Sequence, residues 1–209
     1  MRRVLIGTAI AGILVAVAGA AQARTGSVLT RVVLRASQVG PGYRLLQRSD
    51  GHGVRGLVTL DLCGFTFPSE RLRTDRLQVN YVRVGAAVQL SNEVVTYRPG
   101  AAQQALREVA HAARHCPRHA VGSTVAGIGK VTYRIGWVSD RRLLPGAVAL
   151  RIHATGVANG KRFTTTNLAV YQVRRNVLSG VYTYGHRFRA QLPFGLHAAA
   201  QSALNLEKL

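Results

Sequence analysis

Between Leu77 and Cys116, two alternating runs lead into an amphipathic stretch that ends in one of the chain's two cysteines. Leu77, Val79 and Tyr81 alternate with Gln78 and Asn80. After Gly85, Val88, Leu90 and Val94 share one face, while Gln89, Ser91, Glu93, Val95 and Tyr97 share the other. Period-two alternation on both sides of a short Gly-containing break predicts an antiparallel hairpin, which Pro99-Gly100 ends. In AAQQALREVAHAARHC, apolar residues fall at Ala102, Ala105, Leu106, Val109, Ala113 and Cys116. At about 100° per residue these lie on one helical face. His111 and His115 project to the opposite side, and Pro117 stops the helix before His119.

That geometry separates two readings of HAARHCPRH, residues 111–119. A zinc site needs histidine and cysteine ligands that converge. His111 and His115 stand one turn apart, but Cys116 lies in the apolar stripe and no third ligand accompanies the pair. No metal is expected. Cys116 reads instead as a helix end stapled to the chain beneath it, with Cys63 as its one candidate partner. In an exported chain, two cysteines point to one disulfide. In the chain-entropy account, closing so long a loop contributes about 4 kcal/mol.

Export is read from the other end of the chain. Arg2 and Arg3 precede an apolar run from Val4 to Ala20, and Ala21-Gln22-Ala23 supplies small residues where a signal peptidase cuts. Residues 1–23 therefore read as a signal peptide. The alternative is a retained anchor, because the run is nearly long enough to span a bilayer. Residues 27–209 carry no low-complexity linker and no internal repeat, and read as one domain. A chain of this size buries about 70% of its unfolded surface, enough for a real core.

Charge narrows the partners. The net charge is +20, from 28 basic and 8 acidic residues, and only Lys130, Lys161 and Lys208 are lysines. Such a balance favours contact with polyanions. The arginines are spread along the chain, with no basic block and no aromatic–basic RNA signature, so nucleic acid is not an expected partner. The counter-charges expected for an exported protein are anionic envelope polymers and lipid headgroups, with contact at a membrane surface.

The remaining sequence is mostly strand-like. Residues 28–36 fit strand or helix equally. Tyr43–Leu46 reads as a short strand, Ser49–Gly53 as a turn, and Ser69 as the cap of a short helix over 70–74. Val131, Tyr133, Ile135 and Trp137 alternate with Thr132 and Arg134. Val148, Leu150, Ile152 and Ala154 alternate with Arg151, His153 and Thr155. Asn159-Gly160 is a hairpin turn. Two β-branched, aromatic runs follow, with a turn near Arg175-Asn176. Residues 192–209 read as a helix with Pro193 at its start and Leu196, Ala199, Ala200, Ala203 and Leu204 on one face. The pattern predicts an α+β fold, a twisted antiparallel sheet with helices packed on one face. The other face would stay open as a ligand cleft, or be partly covered by the N-terminal segment.

Four stretches carry a resemblance: TLDLCG (59–64), SER…R…RLQVNY (69–81), SNEVVTYRPGAAQQAL (91–106) followed by HCP, and VLSGVY (177–182). Together they resemble the PknH-like extracellular sensor domain family, which comprises actinobacterial exported proteins and lipoproteins and the outer domains of mycobacterial receptor kinases. The resemblance implies an α+β fold with a cleft for an unidentified ligand, and places Cys63 and Cys116 where the family carries disulfide cysteines. The chain departs from the kinase version in having fewer cysteines, no kinase domain and no internal membrane helix.

The function expected is an exported, non-catalytic, sensor-like binding domain of the cell envelope. Its candidate contacts are Arg134, Arg151, His153, Tyr171 and Tyr182. The alternatives are an envelope hydrolase and a charge-driven structural or adhesive protein. No nucleophile elbow, metalloprotease helix, P-loop or dinucleotide fingerprint is present, and no cofactor is expected. Asp61, Glu70, Asp75, Glu93 and Glu108 form no recognisable catalytic pair, and Glu93 and Glu108 are each expected to balance an arginine. A pocket holding Glu93 beside His153 would reopen the enzyme reading.

Overall fold

The computed structural model describes residues 27–209 except Gly53, Arg55, Ala87 and His186. The expected signal peptide, residues 1–23, lies outside the described residues. Seven strands form one antiparallel sheet in the order β1-β2-β3-β7-β6-β5-β4. The strands are β1 (Arg44–His52), β2 (Arg73–Val82), β3 (Val88–Tyr97), β4 (Ile128–Val138), β5 (Val148–Ala158), β6 (Lys161–Arg174) and β7 (Val177–Gly185). The helices are α1 (Val28–Val32), α2 (Ala36–Val39), α3 (Ala101–Arg114) and α4 (Phe188–Glu207). The topology is two meanders, β1–β3 and β4–β7, each followed by a helix and joined where β3 pairs with β7.

The α+β class and the antiparallel sheet are as expected, but the helices are not confined to one face. Leu90 and Val94 of β3, with Val170 of β6 and Val181 of β7, pack in one core with α1, α2 and α4. Val95 and Tyr97, with Leu150, Tyr171 and Leu178, pack in a second core with α3. In β3, Val94 and Val95 sit side by side and are both fully buried. Adjacent strand residues face opposite ways, so two such neighbours need cover on both sides. The N-terminal segment packs on the same face as α4 and α3 packs on the other, so neither face is left free of helices.

Local signals were overridden at four places. Residues 49–52 are not a turn, because they pair with Gln78 to Asp75 and so extend β1. The segment after Phe67 is a 3-10 turn over Pro68–Leu72 rather than a helix capped by Ser69. Ser69 instead donates from its backbone N and its Oγ to Glu108 Oε2 of α3, at 3.2 and 2.6 Å. Helix α4 begins five residues before Pro193, held by Gln191, whose Nε2 donates to the carbonyls of Thr166 and Gly185. Leu204 is exposed, and Leu206 takes the core position expected of it.

Cys116 follows α3 and is bonded to Cys63, with the two Cα atoms 5.2 Å apart. Eight residues of α3 are buried, six of them alanines, so the helix lies close on the sheet. His111 and His115 stay on the exposed side, their ring centroids 4.2 Å apart.

Candidate functional site: a cleft where the sheet divides

Backbone pairing between β6 and β7 ends at Ala169–Tyr182. Beyond that point β6 continues with β5 alone, down to Lys161–Ala158, while β7 continues with β3 to Gly185. The sheet therefore forks. Gln191 closes the fork from the α4 side through the two carbonyls named above, and its Oε1 accepts from Thr183 Oγ1 at 2.8 Å. On the opposite side the fork opens into a cavity of about 450 Å³.

Strand alternation decides what enters this cavity. Tyr133 comes from β4, Ile152 and Ala154 from β5, Phe163, Asn167 and Tyr171 from β6, and Tyr182 and Tyr184 from β7. Thr59 and Asp61 come from the segment before Cys63, Val125 from the stretch leading into β4, and Ile128 from its first position. These two loops are clasped by Asp61, which accepts from Ser123 Oγ at 2.6 Å and from the N and Oγ1 of Thr124 at 3.1 and 3.0 Å. The disulfide anchors the root of the same clasp, since Cys63 and Cys116 each lie within eight residues of it in sequence.

The floor is polar and internally neutralised. Arg76 and Glu93 form a buried ion pair, with side chains 6% and 4% exposed. Thr59 Oγ1 also donates to Glu93 Oε1 at 2.9 Å, and Arg76 Nη2 donates to Gln78 Oε1 at 2.6 Å. Burying a charge is tolerable only with such partners. Glu93 thus balances an arginine, as expected. Glu108 does not, being bonded to Ser69 and Gln104.

Above the floor, the rings of Tyr171 and Tyr182 meet edge to face with centroids 5.6 Å apart. Burial raises the pKa of both phenols, so both remain neutral hydroxyls. Tyr133 is pushed up to about 12, first by burial and then by the Asp61 carboxylate. The Tyr182 hydroxyl is buried, and the Tyr171 hydroxyl is the polar group beside it.

Of the five expected contacts, two are in the cleft and three are not. Tyr171 and Tyr182 line it. Arg134 is paired with His153 across β4 and β5, and both point through the sheet to the other face, as does Arg151. Arg151 lies 5.5 Å over the ring of Phe188 in α4, and His153 shares a 2.8 Å hydrogen bond with Thr166 Oγ1. Glu93 and His153 are consequently on opposite faces of the sheet. Tyr133, Phe163 and Asn167 were missed. The alternation running from Phe163 through Asn167 to Tyr171 was available in the sequence, but the fork that gathers it against β7 was not.

A second cavity, about 470 Å³, lies at the same end of the sheet between Gln89 and Thr164–Thr166 and shares Tyr184. Its described lining is uncharged, whereas the cleft brings the Arg76–Glu93 pair and four tyrosines together and is the more chemically defined site.

No family model matches the chain, and no curated protein does. Among solved structures, the extracellular domain of PknH from Mycobacterium tuberculosis superposes with a TM-score of 0.50 at 13% identity, over 83% of this chain and 93% of that one. The fold is that of the PknH extracellular domain. An uncharacterized Mycobacterium smegmatis protein, an Rv0999 ortholog, aligns over 81% of this chain and 97% of its own at 10% identity and a TM-score of 0.36. Within the PknH-like fold of this chain, the disulfide and the cleft belong to one unit, because the strapped end of α3 and the clasped loops wall the same side of the sheet.

Proposed function

We propose that this chain is an exported, non-catalytic binding domain of the cell envelope, with its ligand seated in the cleft where the sheet forks. The observation that carries this reading is the cleft's construction. Four of the chain's seven tyrosines converge on it, two of them ring edge to ring face. Pockets that combine aromatic walls with a few placed polar groups are the usual form of small-molecule sites.

Several features support the rest of the reading. A disulfide that joins the only two cysteines suits an oxidising compartment, and so agrees with removal of residues 1–23 at export. The carboxylates at the cleft are already engaged, Asp61 in the loop clasp and Glu93 with Arg76, which leaves neither poised as an acid or base. The likeness to a receptor kinase's outer domain favours a sensor-like role. The arginines spread over the rest of the surface suit contact with anionic polymers or lipid headgroups outside the cleft.

Native mass spectrometry of the protein recovered from its own exported fraction tests this reading. The expected result is a mass lacking residues 1–23, oxidised at the two cysteines, with a small molecule released on denaturation. A protein that carries nothing, and that no envelope extract stabilises against heat, would sink the binding role.

A further inference from the structure

We infer that the cleft selects an uncharged, hydroxyl-bearing molecule with apolar faces, in chemical terms a sugar ring, and that it excludes anions despite the protein's net charge of +20. The inference rests on the cleft being the binding site and names the class of ligand.

Charge is the first argument. Among the described residues, Arg76 is the one basic side chain that lines the cleft, and it is already paired with Glu93. An anion would meet the Glu93 and Asp61 carboxylates and find no unpaired cation. To recruit Arg76 it would have to break a buried ion pair, which is strongly unfavourable. A cation fares no better. Glu93 accepts from Arg76 and Thr59, Asp61 accepts three hydrogen bonds from Ser123 and Thr124, and the whole protein repels positive charge. The basic surface and the cleft are thus two different electrostatic environments.

Hydrogen bonding is the second argument. Tyr133, Tyr171 and Tyr182 are held as protonated phenols that can both donate and accept. The Tyr182 hydroxyl lies buried beside that of Tyr171, and two phenols bonded to each other still leave lone pairs and one O–H for a further partner. Asn167 adds an amide whose Oδ1 accepts from Thr165 Oγ1 at 2.8 Å. Such neutral donor–acceptor groups match hydroxyls, while the rings of Tyr171, Tyr182 and Phe163 offer apolar surface for the C–H faces between them.

Two sources share this chemistry, a free saccharide and the headgroup of a glycolipid. Four probes separate them from each other and from charged ligands: maltotriose, octyl β-D-glucoside, octyl sulfate and octyltrimethylammonium, the amphiphiles below micelle formation. Binding to the exported protein is read from saturable amide shifts at Asn167, Tyr171 and Tyr182, so that detergent adsorbed on the arginine surface is not counted. The expected result is that octyl glucoside saturates these shifts at a concentration at least tenfold below either charged amphiphile. In Tyr182→Phe its affinity should fall about three- to tenfold, the usual scale for one hydrogen bond. Because the substitution keeps the ring and its packing, the free variant should fold and melt close to the parent, lowered at most by the loss of one hydrogen bond. Maltotriose binding at the same amides assigns a free sugar; glucoside binding without it assigns a lipid-linked one. Equal or tighter binding of either charged amphiphile in the cleft overturns the inference and leaves the binding role standing. Silence from all four probes at those amides overturns the inference, and the native mass measurement then decides the binding role separately. An unchanged glucoside affinity in Tyr182→Phe overturns the part given to that hydroxyl.

Discussion

The side chain of Tyr182 folds back over Gly180, two residues earlier on the same strand, and a Cβ at position 180 would collide with its ring and hydroxyl. Gly180 is buried between β3 and β6, where glycine forgoes the side-chain packing a strand interior normally uses. The missing side chain is what lets the tyrosine lie along the cleft wall. Gly180→Ala should therefore displace the ring, lower stability by about 1–3 kcal/mol as overpacked sites do, and alter the near-ultraviolet circular dichroism of the tyrosines. Urea denaturation with an unchanged midpoint and an unchanged tyrosine spectrum would refute the contact.

The Arg76–Glu93 pair makes a second case. Removing one partner strands a buried charge, which costs about 3–5 kcal/mol. Arg76→Met and Glu93→Gln should each destabilise strongly, and the double variant should recover much of the loss. A double-mutant cycle in urea measures the coupling. Simple additivity of the two losses would show that the groups do not act as a pair.

The strap between Cys63 and Cys116 spans a sequence separation of 53 residues. Replacing both cysteines by serine should cost about 4 kcal/mol by the loop-entropy relation. The loss should match that produced by a reductant acting on the parent protein. If the reductant leaves the unfolding midpoint of the parent where it was, the bond makes no such contribution.

Raised tyrosine pKa values set the alkaline limit. A phenol whose folded pKa lies above its unfolded value near 10 supplies stability that is intact below that value and is lost as pH climbs through the folded one. For Tyr133 that window runs up to about 12, and Tyr171 and Tyr182 shift in the same direction. All seven tyrosines shift upward, so absorbance of ionised tyrosine should rise late, above the ordinary value near 10, with the cleft phenols ionising only as the chain unfolds. Asp61→Asn should bring the Tyr133 transition down, since that carboxylate is the second cause of its shift. A single smooth titration near pH 10 would contradict the buried placement.

Much of this architecture was legible in one dimension. Alternation sorted the residues of β2, β3, β4 and β5 onto their faces, and the 3.6-residue period placed Cys116 beneath α3 with His111 and His115 outside. Local rules failed where distant partners were stronger. Pairing with β2 drew residues 49–52 into a strand, and Gln191 seated the first turn of α4 ahead of Pro193. The candidate site divided along the same line. Arg134, Arg151 and His153 were correctly sorted onto a common side of their strands, but the side proved to be the one facing away from the cleft.

Short-range periodicity and residue chemistry were enough for the α+β class, for which side chains share a strand or helix face, and for the pair of sulfurs available to each other. Only the tertiary structure decided that helices cover both faces, that β6 and β7 part after Ala169 and Tyr182, and that Tyr133, Tyr171 and Tyr182 meet beside the Arg76–Glu93 pair. Those outcomes depend on which face of each strand finds cover from a distant segment, and that is settled by packing between residues a hundred positions apart rather than by any pattern among neighbours.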